Sequence, residues 1–218
     1  MKILILLMLV SFSAHADWEI GVGRSVFQPS DNGIWWQAGL DHHLETESNS
    51  LMIGRTGRFD NGLRWRASYM YLGEVNTWAI ATTDADFTGF GCASNPCAAR
   101  DTFIGRGSVE GFQFSLAPEW RIGQFKLFVE GGAYVFLSHF RMTVIGDNAH
   151  TLPQTQVWWD KGKADNWNVK PMYGIGIEYD HWQLVASGYG VDSSAHEDGD
   201  TIPNYTGTTY NLTLRRRF

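Results

Sequence analysis

Residues 167–179, with the sequence WNVKPMYGIGIEY, alternate between apolar side chains and polar or small ones, with Met172 as the one exception. The apolar face carries Trp, Val, Pro, Tyr and Ile, while the opposite face carries Lys170, Glu178 and glycines. A period of two is typical of a β-strand. The pattern exceeds both the roughly 5–6 residues of an average strand and the roughly 9–11 residues with which a tilted strand crosses a bilayer. It therefore predicts a membrane-spanning strand.

Two further stretches repeat this alternation. In 108–121, Phe112 and Trp120 lie on one face and Glu119 on the other, and in 63–75 charge is again confined to one face. Trp and Tyr at the ends of an apolar face are typical of strands whose rings settle at lipid headgroups. The aromatic residues expected at the membrane interfaces are Trp65, Tyr69, Trp120, Trp167, Tyr173, Tyr179, Trp182, Tyr210 and Phe218.

Eight such spans can be placed along the chain. They are 18–28, 51–59, 63–78, 107–120, 125–143, 167–179, 182–191 and 205–218. Short connections alternate with long ones, which run near 29–50, 79–106, 144–166 and 192–204. This asymmetry is typical of outer-membrane barrels, in which closure gives every backbone group a partner that lipid cannot supply. The sequence therefore predicts an all-β fold: an eight-stranded antiparallel transmembrane β-barrel with short periplasmic turns and long extracellular loops.

The N-terminus has the features of a secretory signal peptide. Lys2 precedes the apolar run 3–10, and the small residues Ala14 and Ala16 flank a cleavage site before Asp17. About a dozen apolar residues are too few for the roughly 20 of a membrane-spanning helix. We therefore expect residues 1–16 to be cleaved and residues 17–218 to form one barrel domain.

The two cysteines agree with an exported chain. Cys92 and Cys97 enclose the turn-forming segment Ala-Ser-Asn-Pro. In an oxidising compartment, this spacing favours a small loop disulfide. Two free thiols are the alternative, and the absence of a neighbouring histidine or second cysteine pair disfavours a zinc site.

Composition and motifs narrow the partners. The chain has 218 residues and a formal net charge of -6, so it presents no general basic field to nucleic acid. It contains no phosphate-binding or dinucleotide-binding fingerprint. Its histidines and carboxylates have no recognised metal-ligand spacing. We expect no nucleic-acid partner, no cofactor and no metal.

The C-terminal strand ends in an aromatic residue. Tyr210, Leu212, Leu214 and Phe218 alternate and resemble the signal that the outer-membrane assembly machinery reads, although Arg216 stands where an apolar residue is usual. Together with the eight spans, this makes the mature chain resemble the small eight-stranded outer-membrane proteins of the OmpA-barrel, OmpX and opacity-protein type. The resemblance is one of architecture. It implies a monomer in the outer membrane of a Gram-negative bacterium, in contact with lipopolysaccharide and other membrane lipids.

Charged side chains on the inward faces are the candidate interior of the barrel. Eight strands enclose a space that side chains can fill, and a buried charge needs a partner. We therefore expect ion pairs across the lumen. The residues assigned to this network are Arg64, Arg66, Glu74, Glu119, Arg121, Lys126, Glu130, Lys170, Glu178, Arg215 and Arg217. A narrow channel that disfavours cations is the alternative, because basic residues outnumber acidic ones in this set.

An enzymatic function is an alternative, because related barrels include lipid A palmitoyltransferases and deacylases. Ser138 and His139 are adjacent, so a strand places them on opposite faces and they cannot form a direct pair. Asp192, Ser193 and His196 lie in a long loop that can bring a carboxylate, a hydroxyl and an imidazole together. The same residue types are common in ordinary surface loops.

The long loops favour a structural, surface-interaction or adhesion role, with a host or phage surface as a possible ligand. A lipid A-modifying acyltransferase or deacylase and a narrow low-conductance channel are the alternatives.

Overall fold

The computed structural model describes residues 16–28, 41–83, 99–147, 156–192 and 206–218. In these ranges the regular elements are β-strands, and no helix there is long and apolar enough to cross a membrane. The strands are β1 Asp17–Val26, β2 Asp41–Leu44, β3 Glu47–Arg58, β4 Arg64–Thr83, β5 Ala99–Ala117, β6 Glu119–Ile122, β7 Phe125–Asp147, β8 Gln156–Tyr179, β9 Trp182–Asp192 and β10 Thr206–Arg217. The expected signal peptide lies outside these ranges except for Ala16.

The ten strands form a closed barrel of eight staves. β2 and β3 both pair with β4, and β5 and β6 both pair with β7, so each of these two pairs makes one interrupted stave. Neighbouring staves are antiparallel, and β1 closes the cylinder by pairing with β10 from Glu19 with Arg217 to Val26 with Tyr210. The predicted all-β, eight-stranded antiparallel barrel is confirmed.

Tight turns join staves at one end of the barrel. They connect β3 to β4, β6 to β7 and β8 to β9, and positive φ angles occur there at Gly62 (82°), Gly123 (61°) and Asp180 (55°). Glycine adopts this left-handed region freely because it has no Cβ. These connections are the short turns predicted from the sequence.

The staves are longer at the opposite end than the sequence predicted. β7 and β8 stay paired as far as Asp147 with Gln156, inside the expected loop 144–166. β4 and β5 stay paired as far as Thr83 with Ala99, inside the expected loop 79–106. These loop boundaries were wrong because the strands were predicted from an apolar face. A strand outside the hydrocarbon needs no apolar face, so it can continue beyond the predicted span.

A β-bulge in β4 changes which of its side chains face the lumen. The register against β5 shifts between Tyr71 and Gly73, and Gly73 has a φ of 110°. The even-numbered residues of β4 are buried before the bulge, whereas Val75 and Thr77 are buried after it. Glu74 therefore lies exposed on the outer face, which corrects its assignment to the lumen.

Polar and apolar side chains are distributed as in an inverted globular protein. On β8, Met172 and Glu178 are buried in the lumen, whereas Val169 and Ile175 are 65% and 62% exposed on the outer wall. An exposed apolar wall around a lumen that holds buried charges is the arrangement of a barrel surrounded by lipid.

Candidate functional site: the filled lumen and the outer wall

Glu130 lies at the centre of the ion pairs in the lumen. Its side chain is fully buried and accepts hydrogen bonds from Arg66 and, at 3.0 and 3.1 Å, from the two terminal nitrogens of Arg215. Arg66 Nε also lies 2.6 Å from Glu19 Oε2. The Ser187 hydroxyl donates to Glu130 Oε1 at 3.4 Å. Buried charges need such close opposite charges and hydrogen bonds.

A second group of ion pairs surrounds Glu178 near the tight turns. Lys126 Nζ lies 2.9 Å and Arg217 Nη2 lies 3.3 Å from Glu178 Oε1. Arg64 Nη2 lies 2.6 Å from Glu178 Oε2. Arg64 also pairs with Glu119. The interior end of the barrel that carries the turns is thus crossed by charges from several staves.

Gln183 joins the two groups of ion pairs. It accepts a hydrogen bond from Arg66 Nη2 at 3.0 Å and donates one to Glu178 Oε2 at 3.1 Å. Gln183 and Glu19 were not among the residues expected in the lumen. Glu19 was detectable, because it lies between two apolar neighbours at the start of the first span. Gln183 is neutral, so a prediction based on charged inward residues did not include it.

Three residues expected in the lumen network lie apart from these two groups. Glu74 is on the outer face, as described above. Arg121 is exposed beside a tight turn, where its Nε donates to the Gly123 carbonyl oxygen at 3.3 Å. Lys170 is half-buried on the inward face of β8, with its Cβ near Gly190, farther from the turns than Glu178.

An apolar layer fills the lumen beyond the charged one. Tyr134 stacks on Phe136 with ring centroids 5.2 Å apart and meets Tyr189 edge-on at 5.1 Å. The Tyr134 hydroxyl donates to the Met70 carbonyl oxygen at 3.0 Å, and the Tyr189 hydroxyl donates to Gln113 Oε1 at 2.8 Å. Other buried side chains of this layer are Phe27, Met52, Leu72, Val75, Val109, Met172 and Val191. Such packing opposes an aqueous path through the described barrel.

Aromatic rings are exposed on the outer wall. Of those expected at the interfaces, Trp120, Trp167, Tyr173, Tyr179, Trp182, Tyr210 and Phe218 are between 45% and 64% exposed. Trp65 and Tyr69 are only half-exposed, because Trp65 lies over Gly57 and Tyr69 packs edge-on against Phe112. Trp18, which was not among the expected residues, is 55% exposed on the same wall.

The C-terminal residues of β10 pair with β1 and complete the outer wall of the barrel. The residues expected as an assembly signal, Tyr210, Leu212, Leu214 and Phe218, are all exposed on the outer face. The Phe218 backbone N–H donates to the Trp18 carbonyl oxygen at 2.9 Å. The Arg216 guanidinium carbon lies 5.2 Å from the ring centroid of Trp182 and 5.1 Å from that of Phe218. Contact with two rings lets this cation lie among apolar neighbours.

A polar cluster interrupts the outer wall at the end away from the turns. The Tyr69 hydroxyl donates to Glu110 Oε2, and Glu110 Oε1 lies 3.5 Å from His139 Nε2. Ser108 pairs directly with His139 across the β5–β7 ladder, so their side chains share a face. We name Ser108, Glu110 and His139 the outer-wall cluster. Ser138, the sequence neighbour of His139, is buried on the lumen side.

The catalytic candidates of the last long loop are not brought together among the described residues. Ser193 and His196 lie outside the described residues, as do Cys92 and Cys97. Asp192 ends β9, where it pairs with the first residue of β10. A loop catalytic site and a loop disulfide therefore stay predictions.

The closed barrel of eight staves, its packed lumen and its exposed apolar wall define a transmembrane β-barrel protein of the Gram-negative outer membrane. No protein-family model and no curated protein matches the chain. Among solved structures, it is similar to the outer membrane protein OprG from Pseudomonas aeruginosa, with 13% identity, coverage of 94% of this chain and 96% of that chain, and a TM-score of 0.45. It is also similar to Ail, the attachment invasion locus protein of Yersinia pestis, with 12% identity, coverage of 94% and 99%, and a TM-score of 0.35.

Proposed function

We propose that the protein is a rigid membrane anchor that presents a β-sheet extension at the cell surface, where it binds a host or phage surface. The observation that carries this proposal is the length of four neighbouring staves. On β7, the run of outward apolar or glycine residues from Phe125 to Leu137 is followed by the polar His139, and the strand continues to Asp147. On β8, the strand begins at Gln156, eleven residues before the exposed Trp167.

The extension has a definite height and a definite side. About ten residues of strand, at roughly 3.3 Å each and tilted by about 40°, rise roughly 25 Å beyond the level of Leu137 on β7. β4 and β5 continue beside β7 and β8, with pairing as far as Thr83 and Ala99. By contrast, β1 already ends at Val26, an outward apolar residue. Among the described residues, the extension is formed by β4, β5, β7 and β8, and it lies opposite the short turns, which in outer-membrane barrels face the periplasm.

The packed lumen supports anchoring over conduction. The two groups of ion pairs around Glu130 and Glu178 join six staves, and the layer around Tyr134 fills the lumen beyond them. Such an interior holds a barrel in one shape without providing a path for water. A channel is therefore the less favoured function.

The experiment removes the extension and keeps the barrel. Trp78 and Ile104 are direct ladder partners, so residues 79–103 can be replaced by an Asn-Gly turn. Phe140 and Ala164 allow the same replacement of residues 141–163. We expect expression of the full chain to raise bacterial attachment to host cells or phage adsorption, and each shortened chain to lose that gain while keeping a heat-modifiable folded band.

A matched control alters the same end of the barrel without shortening it. Arg24→Gln removes the exposed Arg24–Glu47 ion pair on β1 and β3 and leaves the extension intact, so binding should persist. Equal binding by the full and shortened chains, or no gain from the full chain, would contradict the proposal.

A further inference from the structure

The apolar outer wall is shorter on β3 than on β8, which lies on the opposite side of the barrel. On β8, the outward side chains from Trp167 to Tyr179 are all apolar or aromatic. On β3, the outward side chains between Asn49 and Arg55 are one leucine and one isoleucine. At roughly 3.3 Å per residue and a strand tilt of about 40°, these stretches are roughly 30 Å and roughly 15 Å tall. The two sides of the wall therefore match different thicknesses of hydrocarbon.

Strand pairing aligns the short apolar stretches of β1 and β3. Four outward apolar residues are exposed there and form two direct ladder pairs between these strands. We name these residues the short band: Ile20, Val22, Leu51 and Ile53. The next outward ladder pair away from the turns is Arg24 with Asn49, and the next outward pair toward the turns is Trp18 with Arg55. Polar side chains therefore limit the short band at both ends.

A hydrocarbon layer as tall as the face of β8 would enclose charged groups beside the short band. One row of direct ladder partners runs from Tyr179 across β9 and β10 to Ile20, so the two faces begin at similar levels. Arg24 lies four residues beyond Ile20, roughly 10 Å along the barrel axis, and both it and its ion-pair partner Glu47 are exposed. A charge in hydrocarbon is costly, whereas a thinner bilayer places this pair among headgroups.

Arginines also limit the short band at the turn end. The Arg55 guanidinium carbon lies 5.6 Å from the ring centroid of Trp18, and Arg216 on β10 contacts the rings of Trp182 and Phe218. Tryptophan rings settle at the level of lipid headgroups, and cations there attract lipid phosphates. The headgroups of the two leaflets therefore come closer together beside the short band than beside β8.

The occupant that fits this surface is lipid. The side chains of the short band are between 47% and 57% exposed, as expected for groups that meet acyl chains. The neighbouring arginines have contacts within the chain, Arg24 with Glu47 and Arg55 with Trp18. A protein that covered the band would have to bury the Arg24–Glu47 pair at a cost in desolvation, whereas lipid headgroups and water keep it solvated.

We propose that the short band thins the outer membrane beside β1 and β3 and binds lipids with short acyl chains. A bilayer beside a short apolar wall thins locally, and short chains fill a thin layer with less strain than long chains do. The taller wall of β7 and β8 fits long chains. The two sides of the barrel therefore sort the surrounding lipids by chain length.

The test compares the two sides of the same protein. The full chain is placed in nanodiscs with equal amounts of dilauroyl and dioleoyl phosphatidylcholine, of which first one and then the other is deuterated. Cross-relaxation from acyl-chain protons to methyl groups is measured by NMR at Leu51 and Ile53 and at Val169 and Ile175. We expect the ratio of short-chain to long-chain contact to be about twofold higher at Leu51 and Ile53.

Two results would overturn the proposal. The first is an equal ratio of short-chain to long-chain contact on the two sides of the barrel. The second is the absence of lipid contact at Leu51 and Ile53 while Ile175 keeps it, which would show that a protein, such as a second copy of the chain, covers the short band.

Variants test whether the polar residues set the height of the short band. Arg24→Leu combined with Asn49→Leu extends the apolar wall on both strands, so the preference for short chains should fall. Arg121→Leu is the matched control, because Arg121 is exposed beside a tight turn and lies outside the short band, so the preference should persist. An unchanged preference in the double variant would contradict the assignment to these residues. If the double variant does not fold, the comparison of the two sides in the unmodified chain still decides.

Discussion

Replacement of Glu130 by glutamine tests how strongly the lumen network stabilises the barrel. The substitution keeps the size of the side chain and removes the charge shared by Arg66 and Arg215. Both arginines are almost fully buried, at 2% and 0% exposure, so water cannot replace the lost partner. Removing one member of a buried ion pair costs about 3–5 kcal/mol.

The contacts of the two arginines place the expected loss of stability at the lower end of this range. Arg66 keeps Glu19, 2.6 Å away, whereas both carboxylate contacts that the described residues give Arg215 are with Glu130. The glutamine amide oxygen still accepts one hydrogen bond, which retains part of the interaction. We therefore expect Glu130→Gln to lower the free energy of unfolding by about 3 kcal/mol.

The assay is reversible urea unfolding of the full chain in lipid vesicles, followed by tryptophan fluorescence. The control is Glu47→Gln, which breaks the Arg24–Glu47 pair, whose side chains are 62% and 52% exposed. Exposed pairs contribute about 0–1 kcal/mol, so this variant should unfold close to the wild type. Adding Arg215→Met to Glu130→Gln should recover part of the loss, because the unpaired cation is removed. A loss for Glu130→Gln no larger than that for Glu47→Gln would refute the reasoning.

Three further predictions concern the lumen, the strand packing and the extension. The full chain in planar bilayers should show no discrete conductance steps, and regular steps would contradict the packed lumen. Gly111→Ala should weaken or abolish the heat-modifiable folded band, because its Cβ would overlap the backbone carbonyl oxygen of Val135 on the next stave; an unchanged band and midpoint of unfolding would contradict this. Hydrogen bonds from the Asn76 side chain and backbone, at 2.9 and 3.0 Å, lower the pKa of Glu45. Because the folded pKa lies below the unfolded one, this stabilisation is complete above the ordinary carboxyl range and is lost as the pH falls through the folded value. Hydrogen exchange of the Asn76 amide, corrected for intrinsic rate, should therefore lose protection in acid, and Glu45→Gln should remove that pH dependence; protection that is independent of pH in the unmodified chain would count against it.

The barrel was predictable because the bilayer imposes a simple rule on each strand. In 167–179 every second side chain meets lipid and the others meet the lumen, and the exposed and buried residues of β8 follow that order. The rule depends on neighbours in sequence and needs no knowledge of strand pairing. For the same reason, the inward charges Arg64, Glu130 and Arg215 could be assigned to the lumen from sequence.

The rule fails where the chain departs from regular geometry or leaves the lipid. One bulged residue at Gly73 reverses the order, so Glu74 lies outside although its spacing from Arg66 favours the lumen. Beyond the hydrocarbon no lipid has to select an apolar face, so the ends of β7 and β8 at Asp147 and Gln156 could not be predicted from alternation. Both failures have the same cause. The apolar–polar alternation depends on what surrounds a strand, and it does not show where the strand begins, ends or bulges.

The outer-wall cluster could not be predicted because strand pairing creates it. From the sequence, Ser138 was excluded as a direct partner of His139 because strand neighbours face opposite sides, and Ser138 is buried in the lumen. The antiparallel β5–β7 ladder instead brings Ser108 beside His139 and Glu110 one diagonal step away. The lumen contacts that hold the barrel together involve other side chains, so the cluster is separate from the stabilising interior. Substitutions in the outer-wall cluster should therefore leave the ion pairs of the lumen in place.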